Sequence, residues 1–340
     1  MKLLRPFSLL ILPLWFSSLT AEPRKAEVPD DFYICAAINK NYVIGSKIVT
    51  VNGLFRRTAE QTWEHEGYND TTIISAAFDP RDHNVVYTAA FNGCWRTLDG
   101  GKTWRMTNSW DMTEGRDVVV DSFAPDTVYL AINDGIARSL DRAQTWQRFE
   151  QGLPERGKYT QVLRLDRTQK NRLFAGCESG LYLNEKETWR CVLPTVTTVT
   201  DLQQSPHDPR HWLAATQSDG AWTSHDRGVT WTKLDGVPSD KALYSIIFDR
   251  VDPKRFAVGN WARGVLATED GGKTWTDRNA GLPDSPRVWR LGVEPKTNRL
   301  FASVVGEALY SSDDFGRTWK KDGMEGSVVH NFLIVPKADN

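Results

Sequence analysis

The chain has 340 residues, of which 40% are hydrophobic and 25% are charged, and its formal net charge is −1. This length is sufficient for one large domain or two average ones, and the composition is that of a globular protein rather than a disordered one. The balanced charge provides no excess of Lys and Arg for a polyanion, so we expect no nucleic-acid partner.

The first 21 residues have the features of a signal peptide. "MKLLR" is a short basic region, "PFSLLILPLWF" is an apolar run too short to span a membrane, and "SSLTA" places small residues before a cleavage point after Ala21. We therefore expect residues 1–21 to be removed and residues 22–340 to form a single exported domain without a transmembrane segment. A retained membrane anchor is the alternative interpretation of this segment.

A Thr-Trp pair recurs along the rest of the chain at intervals of 41 to 44 residues. So regular an interval indicates a structural repeat rather than chance. The Trp residues of the seven copies are Trp63, Trp104, Trp146, Trp189, Trp231, Trp275 and Trp319. In five copies the pair ends a stretch that begins Ser/Thr-x-Asp, as in "TLDGGKTW". The Asp residues of these five are Asp99, Asp141, Asp226, Asp270 and Asp314.

Each repeat of about 42 residues contains four short runs typical of β-strands and no helical period, and the Asp turn lies between the third and fourth runs. Four-stranded units at this period predict an all-β, seven-bladed β-propeller. The N-terminal repeat lacks its first strand, which "SVVHNFLIVPKADN" can supply. We therefore predict ring closure, with residues 328–335 paired beside residues 32–38. The extra stretch Asn39–Val51 is expected to be a loop or hairpin insertion.

The turn pattern Ser/Thr-x-Asp-x-Gly-x-Thr-Trp resembles the Asp-box, or BNR, motif, and the resemblance covers essentially the whole chain after residue 21. The motif occurs in sialidases, xyloglucanases, sortilin-type receptors and photosystem II assembly factors. An Asp in such a turn accepts N–H bonds from its own backbone, and the Trp offers area to bury between blades. We expect these residues to be structural, because one active site does not need seven copies of a turn.

Propellers usually bind ligands on the face built by the loops that lead into each first strand and the loops between the second and third strands. We call this the upper face; the resemblance places the Asp-box turns on the opposite, lower face. Its aromatic rings could stack on sugars and its arginines could bind an acidic group. The candidate ligand-binding residues are Arg116, Tyr159, Glu178, Tyr244, Trp261, Arg263, Arg287, Trp289 and Glu307.

Paired carboxylates on the upper face are the candidates for catalysis, since two acids are what a glycosidase needs. The candidate pairs are Asp117 with Asp134, and Asp201 with Asp219. The Arg-Ile-Pro segment usual in sialidases is absent from the sequence, as are the Gly-x-Ser-x-Gly and His-Glu-x-x-His motifs. The resemblance to xyloglucanases implies two tandem propellers with a cleft between them, whereas this chain supplies one.

These observations favour an exported, non-catalytic propeller that binds a protein or glycan ligand on its upper face, as a monomer. Two alternatives stay open: a glycoside hydrolase or polysaccharide lyase that uses the paired carboxylates, and an assembly chaperone for a membrane complex. We expect no cofactor or metal, because the six His and four Cys show no metal-ligand spacing.

Overall fold

The computed structural model describes residues 30–38 and 50–337, and within them it contains 28 β-strands and no helix. The strands form seven four-stranded antiparallel sheets. Blade 1 contains β1 (Asp31–Ile38), β2 (Gly53–Arg57), β3 (Trp63–Glu66) and β28 (Ser327–Val335). Blade 2 contains β4 (Ser75–Asp79), β5 (Asp82–Ala90), β6 (Gly93–Thr97) and β7 (Arg105–Met106). Blade 3 contains β8 (Asp117–Val120), β9 (Val128–Ile132), β10 (Gly135–Ser139) and β11 (Gln147–Arg148).

The other four blades repeat this plan. Blade 4 contains β12 (Thr160–Leu165), β13 (Arg172–Cys177), β14 (Gly180–Glu185) and β15 (Thr188–Pro194). Blade 5 contains β16 (Val199–Gln204), β17 (Trp212–Thr216), β18 (Ala221–Ser224) and β19 (Thr232–Lys233). Blade 6 contains β20 (Leu243–Phe248), β21 (Phe256–Asn260), β22 (Gly264–Thr268) and β23 (Thr276–Asp277). Blade 7 contains β24 (Val288–Val293), β25 (Leu300–Val304), β26 (Ala308–Ser312) and β27 (Lys320–Lys321).

The C-terminal strand closes the ring. β28 is the innermost strand of blade 1 and pairs antiparallel with β1, in a register that runs from Asp31 opposite Val335 to Ile38 opposite Ser327. Both the seven-bladed architecture and the predicted closure are confirmed. Without β28, the inner edge of β1 would expose unpaired backbone N–H and C=O groups. Closure pairs this edge.

A buried ion pair reinforces this closure from the neighbouring blade. The guanidinium of Arg57, in blade 1, donates from Nη1 to Asp322 Oδ1 at 2.6 Å, and Asp322 directly follows the last strand of blade 7. The same guanidinium lies 4.9 Å from the centroid of the Trp63 ring. Removing either partner would leave a buried charge uncompensated, so the pair links the two ends of the ring.

The hydrophobic core is divided among the seven interfaces between blades. Each of the seven apolar clusters draws its residues from two adjacent blades. The repeated Trp residues take part in these interfaces. Trp189 is 2% exposed, and its Nε1 donates to the Phe149 carbonyl of the preceding blade at 2.8 Å; Trp319 reaches the Arg278 carbonyl in the same way.

The Asp-box turns are closed by one recurring set of hydrogen bonds. In the first, Asp99 Oδ1 accepts from the Thr97 hydroxyl at 2.7 Å and from the Thr103 amide at 2.9 Å, while Oδ2 accepts from the Thr103 hydroxyl at 2.6 Å. The Thr97 hydroxyl in turn accepts from the Gly101 amide, and Gly101 has a φ of 86°. The other four boxes show equivalent bonds at Asp141, Asp226, Asp270 and Asp314.

Two expectations concern residues outside the described part of the chain. The predicted signal peptide, residues 1–21, lies there entirely, and the Asn39–Val51 insertion lies there except for its last two residues. No helix in residues 30–38 and 50–337 has the length and apolarity that a membrane crossing requires. All four cysteines are unpaired, including Cys177 and Cys191.

Truncation after Gly326 tests the closure. The shortened chain lacks β28, so the inner edge of β1 loses its hydrogen-bonded partner. The apolar cluster around Phe32 and Phe301 also loses the β28 residues that pack against it. We expect a lower melting temperature and a broadened thermal transition, followed by circular dichroism. A control truncated after Lys337 keeps β28 and should melt like the full chain. Identical melting of the two truncations would contradict the closure.

Replacing Trp189 by Ala tests the interface between blades 3 and 4. Because this ring is buried and hydrogen-bonded to the preceding blade, its loss should lower the free energy of unfolding by about 3–5 kcal/mol. Trp110 is 89% exposed, so Trp110→Ala should change the same quantity by less than about 0.5 kcal/mol. Chemical denaturation of both variants measures the difference, and equal effects would argue against a packing role for Trp189.

The Asp-box carboxylates predict a specific acid sensitivity. Hydrogen bonds from the Thr103 hydroxyl and amide lower the pKa of Asp99 from 3.8 to about 2. A carboxyl with a depressed pKa stabilises the folded state fully above about pH 4, and this stabilisation disappears as the pH falls towards about 2. Asp99→Asn should therefore melt below the wild type at neutral pH, with a gap that narrows between pH 4 and pH 2. A constant gap across that range would contradict this origin.

Candidate functional site

Each inner strand, the innermost strand of its blade, carries a β-bulge at its upper end. In blade 4, Thr160 pairs with Cys177 and Val162 with Gly176, which leaves Gln161 without an opposite residue. Equivalent register shifts occur in blades 1, 5, 6 and 7. In blade 2 the Ile74 amide donates to the carbonyl of Ala89, which already pairs with Ser75. In blade 3 the Arg116 amide donates in the same way to the carbonyl of Ala131, which pairs with Asp117. The extra residues, which we call the bulge ring, are Ile74, Arg116, Gln161, Thr200, Tyr244, Trp289 and His330.

The bulges bring one side chain from every blade to the same level of the ring. A bulged residue leaves the regular alternation of the strand, so its side chain is re-aimed relative to its neighbours. Contacts then form across blade boundaries: the Thr200 hydroxyl donates to the Leu243 carbonyl at 2.6 Å, and Arg116 Nη2 donates to Gln161 Oε1 at 3.3 Å. The upper mouth of the central channel is therefore lined by residues from separate repeats.

Three aromatic rings meet on one side of this mouth. Tyr244 and Trp289 belong to the bulge ring, and Trp261 lies in the loop between β21 and β22. The Tyr244 centroid lies 4.3 Å from that of Trp289 and 5.5 Å from that of Trp261, and the two Trp centroids are 6.2 Å apart. The Arg287 guanidinium lies 5.5 Å from the Trp261 ring. All three rings are half-buried, and we call them the aromatic platform.

A second aromatic contact lies across the mouth, between blades 3 and 4. The Arg116 guanidinium lies 5.5 Å from the Tyr159 ring, and the Tyr159 hydroxyl donates to Gln161 Oε1 at 3.0 Å. Arg116 Nε is buried and has no hydrogen-bond partner among residues 30–38 and 50–337. The sequence-predicted residues Arg116 and Tyr159 are thus brought together by the fold.

Asp117 lies directly below the bulge ring and ties blades together. Its Oδ1 accepts from the Ser75 hydroxyl of blade 2 at 2.6 Å, and its Oδ2 accepts from the Leu163 amide and from Arg164 Nη1 of blade 4, at 2.9 and 2.8 Å. Both oxygens are therefore occupied by protein donors. A carboxylate fixed in this way stabilises three adjacent blades and is poorly placed to exchange a proton with a ligand.

Asp201 plays the same part between blades 5 and 6. Its Oδ2 accepts from the Ser245 hydroxyl at 3.2 Å and from the Ile246 amide at 3.0 Å. Its Oδ1 accepts from the Leu202 amide and lies 3.6 Å from Arg164 Nη2. One guanidinium, that of Arg164, therefore bridges the two buried aspartates.

The structure does not bring the proposed carboxylate pairs together. Asp134 is exposed and forms a salt bridge at 2.8 Å with Arg148, on the outermost strand of blade 3. Asp117, the other member of this proposed pair, hydrogen-bonds to Ser75 on the innermost strand of blade 2. Asp219 binds Lys233, on the outermost strand of blade 5, at 2.7 Å. Each pair consists of one acid at the channel and one at the rim, and the two share no hydrogen-bond partner.

Three further candidates are held in an ion pair or are exposed to solvent. Arg263 forms a salt bridge with Asp277 at 2.9 Å. Glu178 and Glu307 are exposed in the loops between the second and third strands of blades 4 and 7. The loop that carries Glu307 is hydrogen-bonded to the residue before β24, because the Val305 amide donates to the Arg287 carbonyl at 3.0 Å.

Arg290 was not among the sequence-predicted residues, although it follows Trp289 directly. Its guanidinium donates to the carbonyls of His330, at 3.0 Å, and Tyr244, and so spans blades 6, 7 and 1. Burial and the nearby cations Arg290 and Arg116 lower the pKa of His330 to about 4, so this ring is neutral at pH 7. No local sequence pattern marks Arg290, because the bulge that precedes it is visible only in the pairing of β24 with β25.

A cavity of about 430 Å³ occupies the channel below this level. Asp117, Asp201, Arg164 and Arg290 line its upper end, and a small cavity of about 20 Å³ lies at the level of the bulge ring. These charged side chains therefore separate the upper face from the cavity. Across residues 30–38 and 50–337, His, Cys, Asp and Glu form no cluster of three or more that could hold a metal ion.

Comparison with known proteins adds family information to this geometry. The family model described as sortilin, neurotensin receptor 3, matches residues 219–333, about a third of the chain. A xyloglucanase of Hypocrea jecorina is 23% identical over 291 residues, which cover 80% of this chain and 29% of that protein. The xyloglucanase Xgh74A of Acetivibrio thermocellus is 24% identical, and the match covers 24% of its length. The chain thus spans less than a third of these relatives.

Solved structures share the fold at low identity. The GH74 xyloglucanase from Xanthomonas campestris superposes with a TM-score of 0.63 at 18% identity, over 80% of this chain and 51% of that one. YCF48 bound to a D1 peptide gives a TM-score of 0.55 at 17% identity, over 74% of this chain and 82% of YCF48. The chain is a seven-bladed β-propeller, and its Asp-box turns and these matches fit a BNR-like propeller superfamily.

The comparisons correct the expectation of a non-catalytic binding protein. The curated relatives are xyloglucanases, and several structural neighbours are GH74 enzymes, one of them a xyloglucanase. The non-catalytic interpretation, which relied on the lack of a recognisable catalytic motif, is therefore wrong. The physical reason is that acids on the loops of a propeller need no fixed sequence spacing, so the absence of a motif does not argue against catalysis.

Proposed function

We propose that this propeller is a glycan-degrading enzyme that holds its substrate on the upper face. The observation that carries the proposal is the aromatic platform of Tyr244, Trp261 and Trp289. Aromatic faces present a broad apolar surface, which suits the C–H-rich face of a pyranose ring, and Tyr and Trp add a polar edge for hydroxyl groups. The similarity to xyloglucanases supports a glycan as the substrate.

The carboxylates proposed for catalysis lie on the loops beside the platform. Asp117 and Asp201 are occupied by blade-to-blade hydrogen bonds, so we assign them a structural role. Glu307 and Asp284 are exposed, and neither forms an ion pair within the part of the chain that the structure describes. Both lie on loops next to Arg287. In a glycosidase, one acid protonates the leaving oxygen and a second carboxylate activates water or attacks the sugar.

Export belongs to the same proposal. Residues 1–21 have the pattern of a cleavable signal peptide, and residues 22–340 would then be the mature propeller. An exported enzyme would meet polymeric glycans outside the cell.

A panel of polysaccharides, scored for both binding and release of reducing ends, tests the proposal. Trp261→Ala and Trp289→Ala should weaken binding at least about tenfold, which corresponds to about 1.4 kcal/mol, because each removes a stacking face. Phe123→Ala is the matched control, since Phe123 is an exposed aromatic residue in the loop between β8 and β9 on the lower face. Unchanged binding in both Trp variants would contradict a role for the platform.

Separate variants test the catalytic assignment. Glu307→Gln and Asp284→Asn should lower the rate of reducing-end release while leaving glycan binding intact, because each amide keeps the shape of the acid without its proton transfer. Asp277→Asn is the control, since Asp277 is held by Arg263. Full activity in both the Glu307 and Asp284 variants would rule them out.

Peptide binding during assembly of a membrane complex is a second candidate function. The observation that favours it is size: this chain matches 82% of YCF48, a protein whose structure was solved with a D1 peptide, but only 51% of the Xanthomonas xyloglucanase. A single propeller is thus a better match for the whole of YCF48. Absence of both binding and release across the glycan panel would favour this candidate.

A further inference from the structure

The positively charged side chains of the upper face fall into two groups. Most are neutralised by a neighbouring carboxylate. These pairs are Arg148 with Asp134, Lys158 with Glu150, Lys233 with Asp219, Lys241 with Asp240, and Arg263 with Asp277. The second group has no carboxylate within 4.0 Å among residues 30–38 and 50–337. It contains Arg116 and Arg287 at the channel mouth, together with Arg156 in the loop before β12 and Lys321 on the outermost strand of blade 7.

Within the second group, Arg116 and Arg287 are distinguished by an aromatic ring that each contacts at the channel mouth. Arg116 lies 5.5 Å from the centroid of Tyr159, and Arg287 lies 5.5 Å from that of Trp261. A ring against one side of a guanidinium restricts its orientation while its edge keeps N–H donors for another partner. Arg116 has a buried Nε–H without a hydrogen-bond partner in the described chain, and Arg287 donates no hydrogen bond there.

The charges below the ring do not neutralise these two arginines. Asp117 and Asp201 lie there together with Arg164 and Arg290, two negative and two positive groups. This layer is therefore neutral in sum. His330 adds no charge at pH 7. The upper face also carries Glu114 and Glu178 near Tyr159, and Glu307 and Asp284 on the loops next to Arg287. None of these carboxylates lies within 4.0 Å of Arg116 or Arg287 in the described chain, so both guanidinium groups keep free donors.

We infer that the substrate is an acidic glycan, and that Arg116 and Arg287 each bind a carboxylate of a uronic acid residue. A guanidinium and a carboxylate match in a planar, two-point geometry that a neutral hydroxyl does not reproduce. Arg287 is positioned to bind such a group on a sugar stacked against the aromatic platform, while Arg116 would bind a second one across the mouth. The inference rests on the proposed function and specifies the substrate class.

The test compares two ligands that differ only in charge. Galacturonic acid oligomers and the same oligomers reduced to neutral galactose units are titrated against the wild-type protein at about 50 mM salt, where charges are weakly screened. We expect the acidic form to bind at least about tenfold more tightly, and the advantage to shrink as salt increases. Xyloglucan oligomers serve as an independent neutral ligand.

Variants connect the preference to the two arginines. Arg116→Gln and Arg287→Gln should each lower the ratio of the affinity for the acidic form to that for the neutral form several-fold. Arg287→Lys, which keeps the charge without the planar fork, should retain part of the preference. Lys241→Gln removes one charge from the same face and is the matched control. Melting temperatures of all variants verify that they are folded.

The possible outcomes separate this inference from the proposed function. Equal affinity for the acidic and neutral oligomers overturns the inference and leaves glycan binding standing. If both Gln variants keep the preference for the acidic oligomer, the inference is also overturned, because other residues must then bind the ligand's carboxylates. Binding of an acidic peptide with no binding of either oligomer overturns the inference and the proposed function together.

Discussion

The antiparallel pairing of β28 with β1 is the constraint on which the rest of this propeller depends. It fixes the number of blades at seven and brings the last residues of the chain beside the first described ones. Only in a closed ring does every blade have two neighbours, so only then are all seven apolar clusters complete. The Arg57–Asp322 ion pair and the Trp contacts reinforce an arrangement that this pairing makes possible.

Closure also determines where the side chains of the candidate site lie. Because the seven inner strands run in the same direction around one channel, a bulge at the same position of each strand brings seven side chains to one level. Tyr244 and Trp289 meet because their blades are adjacent, and Trp261 reaches them from a loop above. The site is thus built by residues far apart in the sequence that occupy equivalent positions in the repeat.

Much of the fold could be predicted from sequence, because the Thr-Trp period reports a local turn and a buried contact that every blade needs. The site was harder. Trp261, Trp289 and Arg287 could be predicted from their loops, whereas the environment of Asp117 depends on donors from blades 2 and 4, which no local pattern reveals. The bulges were also hidden, since one extra residue in a short β-rich run barely alters its alternation.

The bulge ring separates the construction of the fold from the chemistry of its upper face. Each ring residue stands outside the regular pairing of its strand, and the apolar clusters are built largely from other positions. Gln161 and Thr200, for example, contact the neighbouring blade through hydrogen bonds rather than through the apolar clusters. The seven positions are therefore places where the side chains of the upper mouth can differ from blade to blade while the apolar clusters of the frame stay the same.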